Sequence, residues 1–299
     1  MPCPDRTILQ AFAWFPARLA AWCWPALPPW LPGLPNMPAD YHLHTPLCRH
    51  ATGWPVDYAR RALELGLPEI GFSDHSPMPQ LFDDWRMLDS EFPRYLEAVE
   101  EARAACPALP IRLGLEVDWL EGGEAWIESL TQRAPWDYLI GSVHYLGDWN
   151  FDNPAEVARF SHYGVEEAWD RYWLLFSQAA RSGFFDIMAH PDLVKKFKHL
   201  PPGDLRRYYE PAVQACVDAN VAIEINTAGL FKPVAEMYPA PEFLRLAAAA
   251  GVPLTINSDA HAPDEIGRAF PEALALATVC GFTELARFEH RQRRLVPLG

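Results

Sequence analysis

His42 and His44 are separated by one residue, so an extended strand would turn both imidazoles to the same face. His50 follows six residues later, and further along come Asp74–His75, Glu116, His144, His190, Glu224, Asn226, Asp259 and His261. Neutral imidazoles and carboxylates are the ligands that zinc, manganese and iron take. A lone histidine or acid is more often a packed side chain or a helix N-cap, and a bare His-x-His is common. The argument lies in the set. Seven of the ten histidines fall at or just past the ends of short apolar runs, in company with acids. One ion takes about four to six ligands, so this many candidates suggests two or three divalent ions.

The elements that must bring these residues together can be read from the apolar pattern. Candidate strands are 39–44, 68–72, 111–117, 137–143, 185–190, 221–226 and 252–257, several of them nearly continuous in apolar character, as buried parallel strands are. Between them, 55–66, 90–106, 166–183, 204–220 and 241–251 read as helices. Pro55 opens the first of these, and Gly183, Asn220 and Gly251 stand where C-terminal caps belong. Regular strand–helix alternation predicts an α/β fold around a parallel sheet, closed as a barrel. In such a barrel the strands' C-terminal ends open on one face, where the ligand-type residues would meet. No repeat or linker divides residues 37–299, so they are expected to form one domain.

Residues 1–36 are rich in Pro, Trp and Ala and are expected to be an extension outside the fold, with Met37 an alternative start. Arg18 and four prolines break any membrane helix there, and a signal peptide's cationic start is missing. A peripheral anchor or a partner-binding tail is the other reading. Six scattered cysteines without CxxC spacing argue against a disulfide framework and for a cytoplasmic location. The net charge of -14 argues against a nucleic-acid partner, and no membrane partner is expected.

Taken in order, HLHTPLCRH (42–50), SDH (73–75), GLE (114–116), SVH (142–144), AHPD (189–192) and NSDAH (257–261) resemble the polymerase-and-histidinol-phosphatase (PHP) superfamily. The resemblance spans about residues 39–270. DYHLHTPLCRHA (40–51), AHPDLVKKF (189–197) and EINTAGLFKP (224–233) are most similar to its L-histidinol-phosphate phosphatase branch. It implies a distorted seven-stranded (β/α) barrel, a trinuclear site of zinc, manganese or iron, and hydrolysis of L-histidinol phosphate in histidine biosynthesis. It also implies the ligands: His42, His44, Glu116 and Asp259 for one ion, Glu116 bridging to a second with His144 and His190, and His50, His75 and His261 for a third. Glu116, Asp259 and His261 would be the catalytic residues, and Asp74 would orient an imidazole from behind.

Phosphate calls for cations. Lys195 and Lys196 are the first candidates and Lys232 and Arg49 weaker ones, while Asn226 would hydrogen-bond substrate. Asp83, Asp84, Asp118 or Asp192 could receive the substrate's cationic groups, and Trp85, Trp119, Trp149 or Trp173 could stack on its imidazole, although most tryptophans are packing. Other readings are a phosphoesterase acting on nucleotides or other small esters, a metal-dependent amidohydrolase, or a metal-bound module without catalysis.

Overall fold

The computed structural model describes residues 37–298 except Leu81; the predicted extension 1–36 lies outside the described residues. In chain order the elements are α1 (Pro55–Leu65), β1 (Ile70–Phe72), α2 (Phe92–Ala105), β2 (Ile111–Leu113), β3 (Glu116–Asp118), α3 (Glu124–Thr131), β4 (Ile140–Ser142), β5 (Tyr145–Leu146) and β6 (Trp149–Asn150). There follow α4 (Phe160–Tyr163), α5 (Val165–Arg181), β7 (Ile187–Met188), α6 (Arg206–Ala219), β8 (Ala222–Asn226), α7 (Pro241–Ala249), β9 (Leu254–Asn257), α8 (Phe270–Cys280), β10 (Glu284–Glu289) and β11 (Gln292–Pro297).

A five-stranded parallel sheet runs β3-β4-β7-β8-β9, and β1 and β2 pair in parallel beside it. The sheet is buried along its length, and helices connect its successive strands, as parallel neighbours require. Isolated parallel bridges join Asp40 to Ile70, His75 to Glu116 and Leu43 to Ala260. Helix α1 begins on Pro55 and stops at Gly66, whose left-handed φ of 71° suits a residue without a side chain. Helix α5 turns Trp169, Tyr172, Trp173 and Phe176 inward against the core.

Two predicted strands differ from expectation. Segment 39–44 pairs only at Asp40 and Leu43 and is not a continuous ladder. Segment 111–117 breaks at Gly114–Leu115 into β2 and β3. Tyr138 packs against Gly114 at the break and Gly71 on β1, its ring filling the space that side chains there would take; a Cβ at either would collide with it. Its hydroxyl donates to Tyr41 O at 2.6 Å. Tyr41 in turn donates to Glu69, and Arg112 reaches the same carboxylate at 3.1 Å. The antiparallel hairpin β10–β11 lies alongside, with Phe288 packed on Tyr41 and Tyr138. This corner is closed, aromatic and charge-matched.

Candidate metal centre

Beyond the C-terminal ends of the parallel strands lies a cavity of about 510 Å³. Seven of the nine predicted ligands line it: His50, His75, Glu116, His144, His190, Asp259 and His261. His42 and His44 are fully buried against the same cluster. Glu116, on the first position of β3, touches five imidazoles. Its Oε2 is 2.8 Å from His75 Nδ1, 3.3 Å from His42 Nε2 and 3.7 Å from His44 Nε2. Its Oε1 is 3.1 Å from His190 Nε2 and 3.6 Å from His144 Nε2. Asp259 Oδ1 forms the second focus, 3.1 Å from His44 Nε2, 3.7 Å from His42 Nε2 and 3.6 Å from His261 Nδ1.

The outer nitrogens of five of these rings are held from behind. Glu224 accepts from His42 Nδ1 at 3.0 Å, Asp74 from His44 Nδ1 at 3.4 Å and Asp118 from His144 Nδ1 at 2.7 Å. Backbone carbonyls of Cys48 and Asp259 do the same for His50 and His261. A proton fixed on Nδ1 leaves the Nε2 lone pair free to face a cation, the arrangement common behind metal-bound histidines. Glu224 is the hub: it also accepts from His190 N, Asn226 and Asn257.

The polar atoms themselves test whether ions fit here. His42 Nε2, His75 Nδ1, Glu116 Oε2 and His261 Nε2 are buried in this cluster without a hydrogen-bond partner among the described residues. Each such atom costs about 1–3 kcal/mol if nothing satisfies it. With the imidazole and carboxylate groups around them, they fit divalent cations. Ligand-type atoms come within 4.8 Å of one another in the groups His42–His44–Asp259, His42–Glu116–His190, His44–His75–Glu116 and His50–His75–His261. A fifth group, His44–Cys48–His261, adds a cysteine that the sequence did not single out. Burial, with Asp74 nearby, pushes the Cys48 thiol well above its ordinary range, so it is the least ready of these groups to ionise.

Without ions the cluster retains protons. Burial opposes charge on His42, but Glu224, Asp259 and Glu116 outweigh it and hold the pKa well above the ordinary value. Burial likewise opposes charge on His44 and His144, but Asp259 and Asp74 carry His44 up to about 9, and Asp118 and Glu116 carry His144 up to about 9. His75 moves the other way, to about 4, because burial and the His44 charge override Glu116. Burial raises Glu116, but His75, His42 and His144 prevail and keep it ionised.

Several sequence expectations are corrected. Lys195 does not line the cavity. It is buried, 3.1 Å from Asp192, 3.2 Å from Glu236 and 3.0 Å from Met237 O, because a buried ammonium needs those partners. Lys196 does line it, paired with Asp152 at 3.0 Å. Asn226 does not line the cavity; it donates to Glu224 at 2.9 Å and to Asp259 at 3.2 Å, and so positions a ligand-type acid. Arg49 is turned to Glu91, while Lys232 lines the cavity. Trp119, Trp149 and Trp173 are core residues; Trp85 alone of the four tryptophans is in the wall. Asp118 and Asp192 are buried and already paired. Sequence reasoning missed Arg86, which joins Asp83 to Asp118, and Asp152, Glu265 and Arg268 in the wall.

A family profile described as "PHP domain" matches residues 40–228. The chain belongs to the PHP domain family. Among curated relatives, a probable histidinol-phosphatase of Deinococcus radiodurans is 44% identical over 256 residues, covering 85% of this chain and 97% of that protein. The histidinol-phosphatase of Bacillus subtilis is 29% identical over 257 residues, covering 77% and 96%. Among solved structures, the histidinol phosphate phosphatase of Lactococcus lactis, described in complex with zinc, L-histidinol and phosphate, superposes with a TM-score of 0.75 at 24% identity. That match covers 86% of this chain and 99% of that one and shows the PHP fold. Asp259 and His261 lie beyond the matched PHP segment, yet they close the same cluster.

Proposed function

We propose that this PHP domain hydrolyses L-histidinol phosphate to L-histidinol and phosphate, using two or three divalent ions of zinc, manganese or iron. The observation that carries the reading is the convergence of nine ligand-type side chains in one cluster, seven of them lining the cavity, with buried polar atoms of His42, His75, Glu116 and His261 unpartnered among the described residues. The 44% identical relative supports the substrate. In this reading His42, His44, Glu116 and Asp259 hold one ion, and Glu116 with His144 and His190 a second. His50, His75 and His261 hold a third. The bridges at Asp40, Leu43 and His75 support the finer fold description, a distorted (β/α)7 barrel closed by its first segment. Four buried free cysteines, and no described helix long and apolar enough to cross a membrane, support a cytoplasmic enzyme.

Bound divalent ions would supply Lewis acidity toward the phosphoryl oxygens and acidify water at roughly neutral pH. The chain's own work is placement. Glu116, Asp259 and His261 face the reacting group. Glu224, Asp74 and Asp118 hold the imidazoles from behind, and Lys196, Lys232 and Arg268 put positive charge in the cavity wall. Trp85 lies edge-on to His75, centroids 4.6 Å apart, and screens that ring from water.

Phosphate release from L-histidinol phosphate, with metal content measured on the same sample, tests the reading. Turnover is expected, abolished by chelator and restored by zinc, manganese or iron. Turnover of nucleotides or amides but not of histidinol phosphate would overturn it.

A further inference from the structure

Residues 83–86 read Asp-Asp-Trp-Arg and belong to the irregular segment between β1 and α2. Arg86 is 3% exposed and fastened on three sides. Its Nε donates to both Asp83 oxygens at 2.9 Å, its Nη2 to Asp118 Oδ2 at 2.9 Å and its Nη1 to Ser76 O at 3.2 Å. The other oxygen of Asp118 is the one that holds His144. Trp85 Nε1 donates to Tyr145 OH at 3.1 Å, and the two rings lie parallel within 10°. The Arg86 guanidinium covers the Trp85 ring at 4.2 Å. That leaves Trp85 as a wall, poorly placed to stack on a ligand. The residues flanking Asp84 are therefore pinned to the framework of the metal centre.

Asp84 itself is exposed and lines the cavity. Elsewhere in the wall, away from the ligand cluster, charges come in pairs: Asp152 with Lys196 at 3.0 Å and Glu265 with Arg268 at 2.6 Å. Asp84 has no cation within ion-pair distance among the described residues, and Lys232 has no carboxylate. The wall thus offers one unmatched charge of each sign, on the segments that follow β1 and β8. L-Histidinol phosphate also carries one group of each sign, a phosphate and an ammonium on the second carbon from the ester oxygen. A carboxylate whose neighbours are already immobilised loses little entropy when it takes up a cation.

We propose that Asp84 pairs with the ammonium of the substrate and so selects amine-bearing phosphomonoesters; this rests on the function proposed above. The test compares kcat/KM on L-histidinol phosphate with that on 3-(imidazol-4-yl)propyl phosphate, which keeps the imidazole and the ester but lacks the amine. Wild type, Asp84→Asn and Asp84→Ala are measured, each with its metal content and Tm. A charge-assisted hydrogen bond is worth about 1.5–3 kcal/mol, so wild type should prefer the amine-bearing ester by about tenfold to a hundredfold. Both variants should lose that preference, mainly through KM, while handling the amine-free ester within about twofold of wild type and keeping full metal. Equal losses on both esters, no loss on either, or a fall in metal content would overturn the assignment to Asp84. If wild type releases phosphate from neither ester, the proposed function itself falls, an outcome distinct from those failures.

Discussion

Two buried glutamates in this PHP domain have opposite surroundings. Glu69, 2% exposed, is in the closed corner, where Arg112 and the Tyr41 hydroxyl answer its charge. Glu116, 1% exposed, is at the cavity among five imidazoles, and one of its oxygens has no hydrogen bond. Burial of a carboxylate is costly in both places. At Glu69 the chain meets the cost with its own cation, and the result is a joint. At Glu116 it leaves lone pairs pointing at one another, and the result is a receptor for cations. The difference separates residues kept for the fold from residues kept for chemistry better than burial does.

The comparison can be broken most decisively at Glu116. Glu116→Gln keeps the shape and should lower phosphate release by at least about a thousandfold, with a loss of bound metal. Full activity with full metal would remove the contrast. One step further from the ions, Asp118→Asn frees the His144 ring and should weaken metal binding by about 10–100-fold, read by chelator competition. An unchanged metal affinity would show that Arg86 and Asp118 serve the fold alone.

The adjacent lysines sharpen the same distinction. Lys196→Met should raise KM about tenfold, whereas Lys195→Met should leave KM unchanged and lower Tm, since it strands Asp192 in the interior. Smallest in its effect on turnover is Glu69→Gln. Its kcat should stay within about twofold of wild type, while the broken pair with Arg112 costs about 3 kcal/mol and takes Tm down by roughly 5–10 °C. A large loss of kcat there would mean the closed corner is coupled to the centre.

The sequence exposed what is local. His42 and His44 alternate on one extended segment, and Asp74–His75, Glu116, His190 and Asp259 each end or follow an apolar run, so strand chemistry alone foretold where they gather. Partnerships made across the fold were hidden. Nothing near residue 195 says that Lys195 will be enclosed by Glu236, 41 residues on, while Lys196 reaches back to Asp152. The packing of Tyr138 on Gly71 and Gly114 was unreadable for the same reason, since the ring is distant from both in sequence. The hairpin β10–β11 was missed because its turn is His290–Arg291, both at positive φ, in place of the Asn-Gly or Asp-Gly that signals such turns.

The unpartnered atoms of Glu116, His42, His75 and His261 have a further consequence. Ions that bind only the folded chain stabilise it in proportion to the logarithm of their concentration over Kd. Heat resistance of this protein should then track the supply of free divalent metal, making its melting curve a gauge of how many ions it carries.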